Sequence, residues 1–436
     1  MVAMARTDRG IGEEPPEQRR TLIILVLAQV LSGAALAAGV TVGALLAQDM
    51  LGSNRLSGLP SALFATGGAI AAAAVGRMSE RSGRRVGLSA GYLVGAAGSF
   101  GVVAAAWLDN VVLLFTSLFV YGAGVATNLQ ARYAGADLAA PSRRGRAVST
   151  VLVATTVGAV VGPNLVTVTG RVADAIGVPV LAGPFLLAGV AYSAAGLFLW
   201  ALLRPDPLQL ARALASAAAV DGRDTSAPEG LSASGQRFPP ARQVWSRTVV
   251  SGAGVLVLTQ FVMVAIMTMT PIHIQDHGHD LSATGIVIGA HIAAMFLPSP
   301  LSGWLVDRFG RRPIATASAV TLLAAGVLAA WAPPASVIIL AVALILLGLG
   351  WSFGLVSGSA MITDAVPLDL RARTQGTVDF AVALAAAGGG LGSGLVVSAT
   401  SYGTLALLGG LVALAVIPVA ALGRLRLAQE SEPSRL

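Results

Sequence analysis

The chain contains no cysteine, and all 28 of its basic residues are arginine, so lysine is absent as well. Without cysteine there can be no disulfide, thiolate metal site or cysteine nucleophile. Charge is also scarce, because 11% of the 436 residues are charged whereas soluble domains have about 25%. A chain that is 55% hydrophobic cannot cover a water-facing surface with so little charge. Lipid is therefore the predicted solvent for most of it.

Long apolar segments dominate the sequence. A segment of about 20 apolar residues crosses the roughly 30 Å of hydrocarbon in a bilayer. Each such segment must be a helix, because backbone groups find no water to bond inside lipid. We predict twelve, named spans 1 to 12 in chain order: 21–46, 57–75, 86–108, 111–135, 146–168, 179–203, 248–270, 282–302, 313–332, 336–362, 374–397 and 402–422.

The arginines are distributed unevenly between the two sides of these spans. Nearly all lie in the tails and in the loops that join even to odd spans, while the opposite loops hold only Arg55 and Arg171. This bias predicts that both chain ends are cytosolic. The net charge of +7 therefore comes from arginines placed at the membrane borders. For that reason nucleic acid is not an expected partner. Residues 1–20 are polar, and no small-residue cleavage site follows the next apolar run, which favours a cytosolic tail over a cleaved signal peptide.

A charged segment occurs twice, at residues 76–85 and 303–312, with an offset of 227 positions. Each copy is predicted to be a short turn between two spans, after span 2 and after span 8. Duplicated halves around an axis along the membrane normal are a known transporter plan, with the substrate site near the midplane. The predicted organisation is a tail (1–20), a six-helix bundle (21–203), a cytosolic linker (204–247), a second bundle (248–422) and a tail (423–436). Residues 204–246 are predicted to be a long loop whose middle, 221–242, is rich in Gly, Ser, Pro and charge and is expected to be disordered or loosely ordered.

The repeated pattern G-x-x-x-D/E-R-x-G-R-R, joining spans 2–3 and 8–9 of a twelve-span chain, resembles the major facilitator superfamily over essentially the full length. The first copy departs from the usual pattern at Glu80 and Ser82. The resemblance implies an all-α membrane protein of two pseudo-symmetric six-helix bundles. It also implies alternating access, in which the bundles rock about a central cavity.

The resemblance further implies a cytosolic gate. Glu80 and Asp307 would lie near the first turns of spans 11 and 5, where the helix dipole favours an anion. Arg81 and Arg308, with the arginines after them, would pair with acids at the ends of spans 4 and 10. The alternative is that the arginines only set topology and bind anionic headgroups. The predicted gate residues are Glu80, Arg81, Arg84, Asp137, Arg146, Asp307, Arg308, Arg311, Asp364 and Arg373.

Span 5 contains Gly158, Gly162 and Pro163, which resemble part of a pattern associated with antiporters of this superfamily. Two further glycines of that pattern are absent. The two glycines also permit close helix packing, and Pro163 can bend the helix, so packing alone is an alternative. Span 4 lacks the arginine that drug–proton antiporters usually hold one turn before the glycine that Gly122 matches.

Ionisable residues inside spans cost about 2.5–3.5 kcal/mol by insertion scales, so they are usually functional. Arg132 and Asp379 have no charged counterpart at the 227 offset, which makes them the best coupling candidates. We hypothesise that Asp379, with or without His291, binds a proton exchanged for substrate. The alternatives are a structural Arg132–Asp379 pair, a snorkelling Arg132, a helix-capping Asp379 and ordinary packing for the others. The full set is Gln29, Asn128, Arg132, Asn164, Gln260, His291, Trp351 and Asp379.

Other classes of site find little support. His277 and His279 lie in the loop between spans 7 and 8 without a second ligand cluster, which favours a solvated loop over a metal site. No G-x-x-x-x-G-K-S/T segment is present, and no Ser/His/Asp set stands in a motif context. We therefore expect no enzyme activity, no metal and no cofactor.

The predicted function is secondary active transport across the cytoplasmic membrane of a bacterium. Largely apolar spans with scattered amides favour a lipophilic or amphipathic solute, and proton-coupled efflux of drug-like compounds is the first hypothesis. The alternatives are uptake or facilitated diffusion of a small metabolite, and a non-transporting membrane sensor. The expected partners are the solute, protons as coupling ion and the bilayer, with the protein a monomer.

Overall fold

The computed structural model describes residues 14–37, 46, 49–50, 59–221, 245–278, 281–333 and 336–422. The end of predicted span 1, the middle of the linker and most of both tails lie outside these residues. Ten helical segments of the described part are long and apolar enough to cross a membrane, by length and composition. The helices of spans 1 and 5 complete the twelve and pack against each other.

The helices coincide with the predicted spans, but several extend about six or seven residues beyond the predicted bounds. Spans 1 to 6 are Glu17–Ala37, Leu59–Ser82, Arg84–Trp107, Val111–Ala136, Arg144–Ala175 and Gly183–Leu202. Spans 7 to 12 are Arg247–Asp276, Leu281–Phe296 with Ser299–Phe309, Arg311–Ala330, Val337–Ala365, Leu368–Ala399, and Tyr402–Ala413 with Val416–Ala421. The break in span 8 falls at Pro298, where the missing N–H favours a break in the helix.

The two repeated charged segments are mostly helical, and the short turn predicted in each is confined to one glycine. The span 2 helix continues to Ser82, and the chain reverses at Gly83, with φ 91°. The second copy reverses at Gly310, with φ 96°. Glycine tolerates a positive φ because it has no Cβ. We call the side of the molecule that carries these two reversals the turn face, and the opposite side the far face.

Each half has its own hydrophobic core. One cluster of buried residues runs from Ile24 to Leu203, entirely within the first half. A second cluster belongs to the second half but includes Ala136, Val148 and Leu152 from spans 4 and 5. These three residues lie near the turn-face ends of their helices. The halves are therefore separate bundles that share apolar packing at the turn face.

Glycines let the two halves touch at the turn face. Span 2 crosses span 11 at Gly76, where a Cβ would lie 2.7 Å from the Cα of Gly376. Span 8 crosses span 5 at Gly303, where a Cβ would lie 2.5 Å from the carbonyl oxygen of Gly145. Larger side chains would force both crossings apart.

Toward the far face the same spans have open space beside them. No described atom stands within 4 Å of a Cβ added at Gly388 or Gly392 of span 11, or at Gly285 or Gly289 of span 8. The described contacts between the halves thus concentrate at the turn face. The structure is closed there, and these four glycines have no described neighbour within 4 Å toward the far face.

Part of the predicted linker is helical, which corrects the expectation of a loop over 204–246. The helix Pro207–Asp221, called the linker helix here, begins with proline at its first position, where the missing N–H costs nothing. The Asp206 carboxylate accepts hydrogen bonds from the N–H groups of Leu208 and Gln209 at 3.0 and 3.1 Å, which caps the helix. Residues 222–244 of the linker lie outside the described part.

Candidate functional site

A buried carboxylate in the first half anchors one side of the turn face. Asp137, at the end of span 4, accepts a hydrogen bond from Nε of Arg84 at 2.8 Å. Arg371, at the start of span 11, approaches the other oxygen of Asp137 at 3.7 Å. Arg84 is fully buried and Arg371 nearly so. A buried charge needs a partner. The Asp137 carboxylate is the shared partner of one arginine from each half.

The second half repeats this arrangement at the 227 offset. Asp364 binds Nε of Arg311 from its own half at 2.9 Å and Nη1 of Arg144 from the other half at 2.6 Å. Arg311 also donates to the carbonyl of Pro141 across the interface. Each carboxylate is thus shared between one arginine of its own half and one of the other half.

The ion pairs at Asp137 and Asp364 use partly different arginines from the predicted ones. Arg81, Arg308, Arg146 and Arg373 are exposed, and none has an ion pair within the described ranges. The reversals at glycine direct the following arginines toward the interface, while Arg81 and Arg308 remain on the outer sides of their helices. Two residues along a helix are separated by roughly 200°. Arg144 and Arg371 therefore face the acids where Arg146 and Arg373 do not.

The acids of the repeated segments bind the backbone of the opposite half. Asp307 accepts hydrogen bonds from the N–H groups of Gly145 and Arg146, each at 2.9 Å. Both donors lie in the first turn of span 5, where the helix dipole favours an anion. The Glu80 carboxylate lies beside the backbone N–H of Arg373 near the start of span 11, an electrostatic contact at the equivalent place in the other pair of spans. These contacts join span 8 to span 5 and span 2 to span 11.

A second ion pair crosses the interface deeper in the membrane. Nη2 of Arg132 in span 4 donates to Oδ1 of Asp379 in span 11 at 2.7 Å, and the hydroxyl of Tyr133 donates to the same oxygen at 3.2 Å. The side chains of Arg132 and Asp379 are 1% and 9% exposed. Oδ2 of Asp379 is buried and has no hydrogen-bond partner among the described residues. This carboxylate is therefore satisfied on one oxygen only.

The same arginine lies on the pseudo-twofold axis. Nε of Arg132 donates to the hydroxyl of Ser359 at 3.0 Å, and these two residues are 227 positions apart. They occupy equivalent positions in the two halves, and equivalent positions touch only beside the axis that relates them. The deep ion pair is therefore central and asymmetric, with an arginine on one side of the axis and a serine on the other.

Gln375 connects the deep pair to the turn face. Its Oε1 accepts a hydrogen bond from Nη2 of Arg84 at 2.5 Å, and its Nε2 donates to the hydroxyl of Thr363 at 3.1 Å. Gln375 lies one turn before Asp379 on the same side of span 11. We call the bridging set of Arg84, Arg132, Asp137, Arg144, Asp307, Arg311, Asp364, Arg371, Gln375 and Asp379 the turn-face gate. Sequence reasoning missed Arg144, Arg371 and Gln375.

The linker helix adds one more bridge. Nη1 of Arg212 donates to the carbonyl of Glu80 at 2.9 Å, and Nη2 donates to the carbonyls of Asp369 and Leu368 at 2.9 and 3.2 Å. Glu80 belongs to span 2 of the first half, and the other two residues begin span 11 of the second half. One guanidinium group therefore binds both halves at once.

Gln29 and Asn128, predicted as substrate or coupling residues, lie inside the first half. Nε2 of Gln29 donates to the Thr155 hydroxyl at 3.0 Å, and its Oε1 accepts from the Tyr92 hydroxyl at 2.6 Å. Nδ2 of Asn128 donates to the hydroxyl of Ser32 at 2.8 Å. Both amides are fully buried. Their contacts join spans 1, 3, 4 and 5 to one another, and among the described residues none of their hydrogen bonds reaches the second half.

Three more candidates lie in the second half. Trp351 donates its Nε1–H to Oε1 of Gln260 at 2.8 Å, and Gln260 keeps partial exposure. His291 is buried, with Nδ1 2.8 Å from the carbonyl oxygen of Leu344. Its contacts lie between spans 8 and 10 and do not join it to Asp379.

The span 5 candidates divide between described and undescribed positions. A Cβ at Gly158 would lie 2.5 Å from the carbonyl oxygen of Val30, so this glycine allows close packing on span 1. The side chains of Gly162, Pro163 and Asn164 lie outside the described part. In the loop after span 7, the His277 ring packs 4.4 Å from that of His273. His279 also lies outside the described residues.

Two helical bundles, each with its own core, are joined across a pseudo-twofold axis by buried charges. This arrangement defines a multi-pass membrane transporter. The Major Facilitator Superfamily model matches residues 22–298 and 252–435. The chain belongs to this superfamily.

Bacterial relatives agree with the family. The chain is 54% identical over 401 residues to the uncharacterized MFS-type transporter YdeG of Bacillus subtilis, covering 92% of this chain and 91% of the relative. It is 51% identical to the uncharacterized MFS-type transporter YddS of the same organism, covering 94% and 93%. It is 32% identical to the riboflavin transporter RfnT of Brucella anthropi, covering 83% and 85%.

Solved structures agree with the fold. The human organic anion transporter MFSD10 superposes with a TM-score of 0.71 at 17% identity, covering 93% of this chain and all of the other. The proton:xylose symporter XylE superposes with a TM-score of 0.71 at 18% identity, covering 92% and 94%. At these identities the likeness concerns the fold alone.

Proposed function

We propose that this protein is a secondary active transporter that moves a small solute by alternating access. The supporting observation is the one-sided interface. Within the described ranges, all hydrogen bonds and ion pairs that join the halves lie on one side. They extend from the turn face to the Arg132–Asp379 pair and no further. Such an interface has the form of a gate that closes one side while the other admits solute.

The Arg132–Asp379 pair is the proposed site of proton coupling. A proton on Asp379 neutralises the carboxylate, and Oδ2 is the free position for it. The pair would then lose its attraction, and with it a central bond between the halves. Proton binding would thus favour opening of the turn face. Deprotonation would restore the ion pair and close the turn face. The protonation state of Asp379 would then determine which side of the membrane the cavity faces.

Efflux of a lipophilic or amphipathic solute is the first candidate function. The partial Gly158-to-Pro163 pattern favours antiport, and the scarcity of buried charge outside the gate favours an apolar solute. Uptake of a planar heterocyclic metabolite is the second candidate. It is favoured by the 32% identity to the riboflavin transporter RfnT, and by the partly exposed amide of Gln260, which the buried Trp351 indole holds in place and which can bond a polar ring edge.

The proposed setting is the cytoplasmic membrane of a bacterium, with the turn face and both termini in the cytosol. The arginine-rich loops on the turn face support this orientation. The bacterial sources of the relatives support the membrane. We expect a monomer, because each bundle already supplies the interface that the other needs.

The test uses the purified full chain in liposomes that contain a pH-sensitive dye. Riboflavin or ethidium is added outside, and the sign of the internal pH change is recorded. Antiport predicts proton exit as solute enters, and symport predicts proton entry. Solute exchange by counterflow is measured in the same vesicles, and its presence would exclude a non-transporting sensor.

Two substitutions locate the coupling. Asp379→Asn should abolish solute accumulation driven by a pH gradient while retaining counterflow exchange. Asp174→Asn is the matched control, since Asp174 is an exposed aspartate at the far end of span 5. Gradient-driven accumulation at the wild-type rate in Asp379→Asn would remove this pair from the coupling mechanism. Retained exchange without accumulation excludes simple misfolding.

A further inference from the structure

A groove runs along the outside of the first half, between spans 1 and 6, away from the turn-face gate. Its volume is about 550 Å³, and it is open along one side and not enclosed. Both helices belong to the same bundle, so the groove need not open or close with the gate. The lining residues are Pro16, Arg19, Arg20, Ile23, Ile24, Leu27, Phe198 and Leu202.

Polar and apolar residues are separated along this groove. Arg19 and Arg20 stand at its turn-face end, at the start of span 1. Ile23 and Leu27 follow Arg19 at intervals of four, so the three side chains form one stripe along the helix. The helix rises about 12 Å toward the membrane centre over the eight residue-to-residue steps from Arg19 to Leu27. The groove therefore changes from cationic to apolar along the membrane normal.

Span 6 supplies the opposite wall. Phe198 and Leu202 are also four residues apart, and Leu202 is 42% exposed. Ile23 and Leu27 are 51% and 48% exposed, so the groove is open to the surrounding lipid. Its apolar wall is thus long enough to hold the upper part of an acyl chain.

The two arginines have no acidic partner among the described residues. No ion pair involves either side chain, and both are exposed at the groove mouth. Most arginines that face the gate, by contrast, bind Asp137, Asp364 or Asp379. Basic pockets between membrane helices are suited to lipid headgroups that carry phosphate.

We propose that this groove binds one anionic phospholipid of the turn-face leaflet, with the headgroup phosphate on Arg19 and Arg20 and an acyl chain along Ile23, Leu27 and Phe198. The order of charge and apolar surface matches a lipid lying along the membrane normal. This proposal is independent of the transported solute and of proton coupling.

The test measures lipid binding to the purified full chain in a neutral detergent. Phosphatidylglycerol, phosphatidylcholine with the same acyl chains, and glycerol 3-phosphate are titrated separately. Thermal unfolding and native mass spectrometry are the readouts. We expect phosphatidylglycerol to raise the unfolding midpoint and to remain bound as one tightly held copy. The other two compounds should do neither.

Substitutions then place the site. Arg19→Gln with Arg20→Gln should weaken the apparent affinity for phosphatidylglycerol by about tenfold or more, the scale expected for two charges at a membrane surface. The control, Arg171→Gln with Arg247→Gln, removes the same charge from exposed arginines elsewhere and should leave binding unchanged. Ile23→Trp fills the groove while keeping both arginines, and it should also weaken binding.

Three results would overturn the proposal. Wild-type affinity in the Arg19→Gln, Arg20→Gln variant would place the lipid elsewhere. Equal stabilisation by phosphatidylcholine would remove the role of the charges. Equal stabilisation by glycerol 3-phosphate would assign the arginines to a free anion instead of a lipid.

Discussion

Replacing Arg212 with alanine should shift the protein toward a state that is open at the turn face. Arg212 lies on the linker helix and binds carbonyls of span 2 and span 11 at once. When the halves separate at this face, the linker helix can stay with only one of them. The closed state therefore holds at least one charge-assisted hydrogen bond that the open state loses.

The size of the shift follows from that difference. A hydrogen bond to a charged group contributes about 1.5–3 kcal/mol when well buried. The Arg212 side chain is 24% exposed, so water competes for part of this energy and about 1–2 kcal/mol is the expected loss. That corresponds to a change of about 5- to 30-fold in the ratio of closed to open molecules.

Spin-label distances can measure this ratio. The chain has no native cysteine, so cysteines placed at the exposed positions Arg81 and Arg308, one in each half, would carry the only labels. Arg212→Ala should broaden the distance distribution and add a longer component. Arg204→Ala removes an equal charge from an exposed linker position and should leave the distribution as in the wild type.

An unchanged distribution in Arg212→Ala would refute this reasoning. It would mean that the linker helix follows the halves without stabilising either state. A lengthening of equal size in Arg204→Ala would refute it too, since the effect would then depend on net charge at the turn face and not on the bridge.

Three further substitutions should separate the gate from the bundle cores. Gly76→Leu should hold spans 2 and 11 apart and lengthen the spin-label distance at the turn face. Gly388→Leu should not, because no described atom lies within 4 Å of a Cβ there. Equal effects of the two substitutions would contradict the packing argument. Arg84→Gln should lower thermal stability by several kcal/mol, since half of a buried ion pair is left behind, and adding Asp137→Asn should restore much of it. Gln29→Leu should destabilise the fold by about 1 kcal/mol without altering the spin-label distances, and altered distances would place Gln29 in the gate.

The spans and the duplication were predictable from the sequence, because both depend on local patterns. Apolar length alone locates a helix in lipid, and a repeated charged segment remains visible in one chain. The linker helix was missed although its alanine- and leucine-rich segment has high helix propensity, because the Gly, Ser and Pro of the rest of the linker favour a loop. It is held by Asp206 at its start and by the distant contacts of Arg212, neither of which periodicity reveals.

The gate arginines were only partly predictable. The spacing from Asp364 to Arg373 repeats that from Asp137 to Arg146, yet the spacing to Arg371 and Arg144 repeats equally well. Choosing between them requires the direction of each side chain at a helix start, which depends on where the helix begins. The contacts of Gln29 likewise involve residues of spans 3, 4 and 5. These residues are far apart in the sequence, so no local pattern shows that they lie close together in the fold.

The contact between Arg132 and Ser359 has a consequence for how this molecule arose. Two identical six-helix subunits, associating before gene fusion, would have placed the same residue against itself at this point. An arginine there would have faced its own copy in a low-dielectric interior, where like charges repel strongly. A single arginine at the centre therefore requires two halves that differ in sequence, and a fused chain allows its two copies to differ.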